Sequence, residues 1–288
     1  MKLAIPFIAS LLSALCAAHT SSALADDLSA GLVFLAPFDD SFDAVIGADR
    51  QLCTADSLKR ESIVAGNQRE DVQLVPAAGR HGAALRFGDG GATKVTMFRG
   101  INAAYRPQNW SGTVSLWLRL TPDEDLKPGY CDPLQITDKT WNDAAFFIDF
   151  DKDLPRTFRL GVFPDYRSWN PADTPWEQIA VVDRPMVPVN KPPFSRSSWT
   201  HVAWTFAGLN SGSPEAVAEL YLNGRSQGRL KRAMNFSWQP EKTAIMLGIA
   251  YTGDLDELAI YNRALTPAEI ETLYRLPKGL TSIAPAPK

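Results

Sequence analysis

A two-sheet antiparallel β-sandwich, all-β apart from one short C-terminal helix, is the fold class this sequence predicts. Three observations predict it. Short runs of alternating apolar and polar residues recur along the chain, Gly- and Asn-containing turns separate them, and helical periodicity appears once, near the end. The cleanest strand is 112–120, where Val114, Leu116, Leu118 and Leu120 share one face and Thr113, Ser115, Trp117 and Arg119 the other.

Taken in order, residues 1–25 read as an export signal. Lys2 supplies the positive start, residues 3–18 the apolar run, and Ala23-Leu24-Ala25 a small-x-small cleavage site. The apolar run is too short and broken for a membrane anchor. A mature chain starting at Asp26, periplasmic or extracellular and with no membrane insertion, is therefore expected. A single domain over 26–275 and a disordered tail over 276–288 follow from the strand spacing and from the Pro, Ser and Lys content of the end.

The first strand is expected at 32–38, followed by the acidic turn Asp39-Asp40-Ser41-Phe42-Asp43. An irregular excursion over 47–79 comes next, with short strands near Ile63 and Val72. Further strands are expected at 81–88, 93–98, 134–137, 145–150, 157–163, 199–206, 218–222 and 245–249. Asn223-Gly224 after the 218–222 run is a strong hairpin turn. The closing stretch 253–261 alternates so as to send Asp256 to the same side as Leu258 and Ile260, a carboxylate aimed at the core that would need a partner. Thr266, Pro267 and Glu269 then make a capping box for a helix whose stripe is Ile270, Leu273 and Tyr274.

The order of the segments 79–88 (GRHGAALRFG), 112–120 (GTVSLWLRL), 199–206 (WTHVAWTF), 218–225 (AELYLNGR) and 253–265 (GDLDELAIYNRAL) resembles the strand series of laminin-G-like jelly rolls. These belong to the concanavalin A-like lectin/glucanase superfamily, and the resemblance spans roughly residues 31–275. It implies a jelly-roll sandwich and, because such domains often bind calcium, a Ca²⁺ site. A jelly roll can bring its first and last strands together, so Asp39, Asp40 and Asp256 are the candidate ligands, an all-oxygen set of the kind Ca²⁺ takes. The equal alternative is that these acids cap turns and pair with Arg50 or Arg263.

Composition narrows the partners. Without residues 1–25 the chain carries 28 basic and 32 acidic groups and no basic run, which argues against nucleic acid. Cys53 and Cys131 then remain, and a single pair in an oxidising compartment reads as a disulfide. The Glu-x-Asp-x-x-Glu motif of the superfamily's glycoside hydrolases is absent. Neither His81 nor His201 lies in a nucleophile motif, so catalysis is not expected.

Two long loops hold aromatics that strand cores cannot absorb: 121–143, with Trp141 and Asn142, and 164–198, with seven prolines, Tyr166, Arg167, Trp169, Asn170 and Trp176. A flat ring for the C–H face of a sugar with polar groups beside it is the chemistry of a glycan platform. A carbohydrate-binding, lectin-like protein is the leading functional expectation. A scaffold domain for protein partners comes second, and a divergent glycan-cleaving enzyme third.

Overall fold

The computed structural model describes residues 28–88, 91 and 93–284. The expected export segment 1–25 and the last four residues lie outside the described residues. In chain order the strands are β1 (Leu32–Ala36), β2 (Cys53–Ala55), β3 (Ile63–Ala65), β4 (Val72–Val75), β5 (Ala84–Phe87), β6 (Val95–Arg99), β7 (Trp110–Arg119) and β8 (Cys131–Thr137). They continue as β9 (Ala145–Phe150), β10 (Phe158–Phe163), β11 (Met186–Val189), β12 (Thr200–Leu209), β13 (Val217–Leu222), β14 (Arg225–Lys231), β15 (Ala244–Ile249) and β16 (Gly253–Tyr261). The helices are the single turns α1 (Pro122–Asp125) and α2 (Tyr166–Trp169), and α3 (Pro267–Tyr274).

Two antiparallel sheets pack face to face as a jelly-roll sandwich. The first runs β14-β13-β12-β7-β16-β5-β4, with β1 also paired to β16; the second runs β11-β10-β9-β8-β15-β6-β2-β3. Register sets the faces. Val202 opposite Leu116 and Trp204 opposite Val114 put the apolar set of β7 into the core between the sheets. An aromatic knot fills one end of that core, with Trp110 edge-on to Phe206 at 4.7 Å and to Trp238 at 4.8 Å, and Phe146 stacked on Phe236 at 4.8 Å. Such pairs add about 0.5–1.5 kcal/mol each beyond the area they bury.

The outer face of the first sheet is buried as well. Helix α3 and the segment after it lie across Ala203, Tyr221, Ala259 and Tyr261. The capping box forms as expected: Thr266 Oγ1 accepts from Glu269 N–H at 3.2 Å, and Glu269 Oε2 accepts from Thr266 N–H at 2.7 Å. The expected disordered tail is corrected here. Residues 280–282 form a 3₁₀ turn, Leu280 is fully buried in the α3 cluster, and Ile283 and Ala284 pack against it.

Two further expectations are corrected. Asp256 does not share a face with Leu258. A bulge between Asp256 and Ala259, with Glu257 at φ +49°, shifts the alternation, so Leu255, Leu258 and Ile260 face the core. Asp256 lies opposite Trp117 on the covered outer face and is still fully buried. Cys53 and Cys131 are free and buried. Strands β15 and β6 separate β2 from β8, and the register sets Cys53 level with Gln135 rather than Cys131, so the cysteines are more than about 14 Å apart at the usual strand spacing, beyond disulfide reach. Cys131 also faces the core between the sheets, whereas Cys53 joins the outer cluster with Met97 and Met246.

Candidate functional site

The outer face of the second sheet carries the two long loops, and they meet there. Phe147 from β9 and Phe163 from β10 stack at 5.3 Å and form the base. Gly161 makes that base possible, because a Cβ at this position would lie 2.2 Å from the Phe147 ring. Trp141 from the first loop packs edge-on to Phe163 at 5.5 Å and stands at 90° to Trp176 of the second, also at 5.5 Å. Trp169 meets Phe163 at 5.1 Å, and Tyr166 meets Trp169 at 5.6 Å. Trp141 is 44% exposed, while Trp169 and Trp176 are half-buried. The rings form an open corner rather than a flat strip.

Hydrogen bonds lock the two loops together. Trp169 Nε1 donates to the Asn142 carbonyl at 2.9 Å, and Tyr166 N–H donates to Asp143 Oδ1 at 2.8 Å. Lys139 Nζ bridges Asp143 at 3.5 Å and Asp165 at 3.2 Å, and Ser237 Oγ donates to Asp165 at 2.7 Å. A corner held this way needs little ordering when a ligand arrives.

The expected polar readers divide by where their groups point. Arg167 is exposed beside Tyr166, and the Asn142 side chain accepts only from Thr140 Oγ1 among the described residues. Asn170 is used inside its loop: Nδ2 donates to the Thr174 carbonyl and Oδ1 accepts from Thr174 N–H, both at 2.9 Å. The Tyr166 hydroxyl is held by Asp173 at 2.5 Å, which raises its pKa and leaves the ring as its free surface. Sequence reasoning missed Arg184, whose guanidinium lies 4.2 Å from the Trp176 ring. It also missed Val181 and Val182, which stand 68% and 84% exposed beside it. Only the apolar pair in a Pro-rich loop could have signalled this.

Along the same face, away from the corner, lies a polar patch. Arg159 of β10 pairs with both oxygens of Asp149 and reaches Asp151 at 2.9 Å, and the exposed Tyr130 ring sits 5.0 Å from its guanidinium. Burial, and then the neighbouring Asp149, push the pKa of Asp132 well above the usual carboxylate range.

At the far side of the molecule the acids of the calcium expectation do come together. Asp39 Oδ1 accepts from Ala83 N–H at 3.3 Å, and Asp256 Oδ2 accepts from His81 N–H at 3.0 Å. Asp256 Oδ1 takes Glu257 N–H at 2.8 Å, and Glu257 Oε1 takes Leu280 N–H at 2.7 Å. Asp40 is exposed at the edge. Burial raises Asp256 to about 8 and Glu257 to about 7. In charge the cluster suits a cation. In geometry the oxygens are already held by backbone amides, and among the described residues no group of three or more His, Cys, Asp or Glu is disposed to hold a metal.

His201 bonds to Ser115 through Nε2 at 2.8 Å, but full burial lowers it to about 3 and its Nδ1 has no partner. It is a neutral packing residue under Tyr274 and lacks the orienting carboxylate that a nucleophile's base requires.

Two packed antiparallel sheets, with the long loops gathered on one outer face, define a jelly-roll β-sandwich domain. The laminin-G-like profile of the concanavalin A-like lectin/glucanases superfamily matches residues 89–271, more than half of the chain, and the chain belongs to that superfamily. A search of curated proteins returned no match. Among solved structures it is similar to domain 4 of an extracellular arabinanase from Geobacillus stearothermophilus, solved with arabinotriose. Identity is 18% and the TM-score 0.51, over 86% of this chain and 100% of that one. It is also similar to the binding domain of botulinum neurotoxin DC solved with SialylT (13%, TM-score 0.55, 89% of this chain and 52% of that one) and to that of serotype C1 (12%, TM-score 0.52, 87% and 52%). The chain thus spans about half the length of the toxin binding domains, and at these identities the likeness is one of fold.

Proposed function

We propose that this chain is an exported, non-catalytic carbohydrate-binding protein that holds a glycan at the aromatic corner of Trp141, Trp176 and Trp169. One observation carries the reading: an exposed Trp141 stands at right angles to Trp176, 35 residues on in the sequence, and hydrogen bonds from Tyr166 and Trp169 to Asp143 and Asn142 hold their two loops together. A sugar ring can stack on one indole and meet the other as a wall, with Asn142 next to Trp141 and the exposed Arg167 on the second loop available for hydroxyls. Perpendicular rings suit a single residue or a chain end better than a flat ribbon, which needs coplanar rings. The sugar ligands in two of the similar structures support the reading.

Trp141→Ala and Trp176→Ala are each expected to weaken binding of the best glycan by about 1–3 kcal/mol, as stacking and interface anchors do. Isothermal titration of correctly folded variants is the measurement. Parental affinity in both would remove the corner from consideration. The exposed Val181 and Val182 in the same loop favour the second reading, a protein partner docked there. Calcium belongs to the proposal as a stabilising ion, for which Asp39 and Asp256 would supply the first oxygens.

A further inference from the structure

The polar patch beside the aromatic corner is built around side chains that the fold leaves without partners. The register shift between Cys131 and Leu134 turns Asp132 to the outer face while Cys131 and Leu134 face the core. This sets Asp132 beside Asp149 of the neighbouring strand. Among the described residues no hydrogen bond or ion pair reaches the Asp132 carboxylate. Gln135 lies on the same outer face, between Phe147 of β9 and Met246 of β15. It is 94% buried, and its amide also makes no hydrogen bond among the described residues. The amide atoms still reach solvent at the floor of the patch, so they are open to a ligand that enters it.

We propose that the face running from the aromatic corner to Asp132 and Gln135 takes a glycan bearing a free amino group, an inference that rests on the carbohydrate reading above. The charge balance selects the ligand. Asp132, Asp149 and Asp151 are three carboxylates, and Arg159 is already shared between the last two. An ammonium is donor-only, and its charge offsets the burial and the Asp149 charge that otherwise favour the protonated form of Asp132, so the two match where a uronic or sialic acid would be repelled. Gln135 Oε1 accepts a further donor from the ligand, and its NH₂ reaches a hydroxyl on the same sugar. Arg60, with Nη1 3.4 Å from Met246 Sδ, closes the opposite end of this row and leaves the ammonium to Asp132. Distance fits a continuous chain: Asp149 follows Phe147 by two residues on one strand face, about 7 Å along the sheet. One sugar can therefore rest at the corner while the next meets the acids.

The test compares β-1,4-linked pentamers of glucosamine, N-acetylglucosamine and glucose by calorimetric titration, at a pH where the amine is protonated. The glucosamine pentamer is expected to bind at least tenfold more tightly than the glucose pentamer. Asp132→Asn should abolish that preference, so that the glucosamine and glucose pentamers bind this variant with equal affinity. Glu215→Gln, an exposed acid paired with Lys231 away from this face, should preserve it and so control for bulk charge. Gln135→Leu should weaken the glucosamine pentamer about fivefold at an unchanged melting temperature, an arm independent of the acid. Equal binding of amine and neutral pentamers, or a preference that survives Asp132→Asn, overturns the inference and leaves the aromatic corner standing. Absence of binding by all three pentamers also overturns the amine inference, while the carbohydrate reading is decided separately by the Trp141 and Trp176 variants with the best glycan.

Discussion

Asp256 and Glu257 lie side by side under the C-terminal segment with amides as their partners and little positive charge near them. His81, whose Nε2 is 3.8 Å from Glu257, does not supply it, since burial and then Arg80 lower its pKa and keep it neutral. The two acids are raised from 3.8 to about 8 and from 4.5 to about 7. In that interval the folded protein holds protons that the unfolded chain has released. Their contribution to stability is therefore fully present below about pH 4, declines as pH rises, and is lost above about pH 8. Unfolding free energy measured by denaturant titration in chelator should fall between pH 5 and pH 8. Glu257→Gln keeps an acceptor for Leu280 N–H and removes the charge. It should regain on the order of 2–3 kcal/mol at pH 8, since one pKa unit is about 1.4 kcal/mol. Calcium enters the same experiment. A gain at pH 8 on adding Ca²⁺ that vanishes in Asp256→Asn would support the ion, and identical curves in Ca²⁺ and chelator would remove it.

At the scale of elements, α3 and the 3₁₀ turn after it close the outer face of the first sheet. Gly279 allows the turn to sit directly on the acid pair: at φ +67°, a Cβ here would lie 2.0 Å from Glu257 Oε1. Leu280 then fills the cluster formed by Leu28, Leu35 and Leu273. Leu280→Ala should cost about 2–5 kcal/mol, the range for emptying a buried leucine site, and lower the melting temperature accordingly. Equal melting of Leu280→Ala and parent would mean the segment merely rests on the surface. Composition hid this docking, because Pro, Ser and Lys mark a tail while a lone Leu280 marks nothing until Glu257 and α3 are in place. Alternation along β7 and the capping box of α3 were legible because both depend on neighbours in sequence. The bulge at Glu257 was not, since a non-Gly residue at positive φ carries no pattern of its own. The cysteine pairing failed for a related reason: two residues can suit a disulfide by count and compartment, yet only sheet order tells how many strands lie between them.

At the scale of the whole molecule, the sandwich separates its tasks between faces. The outer face of the first sheet is sealed by α3 and the C-terminal segment. That of the second is left to the loops, whose aromatics pack on Phe147 and Phe163 and not on the core between the sheets. The sequence showed which loops held surplus aromatics. It could not show that the two loops converge, because that needs β9 and β10 paired with Phe146 opposite Val162 and Ala145 opposite Phe163. Nor could it show that Asn170 turns its amide inward. If the division between faces is real, the site should be removable without loss of the fold. Replacing residues 171–183 by a short Gly-Ser turn deletes Trp176, Val181 and Val182 but spares Met186, which pairs with Gly161. The variant should keep its far-ultraviolet spectrum and unfold cooperatively. Its melting temperature should drop by only a few degrees, as expected for about 1–2 kcal/mol of lost contacts on a domain this size. Glycan affinity should fall at least tenfold. A variant that no longer folds would show that the loop belongs to the core, and one that binds glycan as tightly as the parent would move the site off this face.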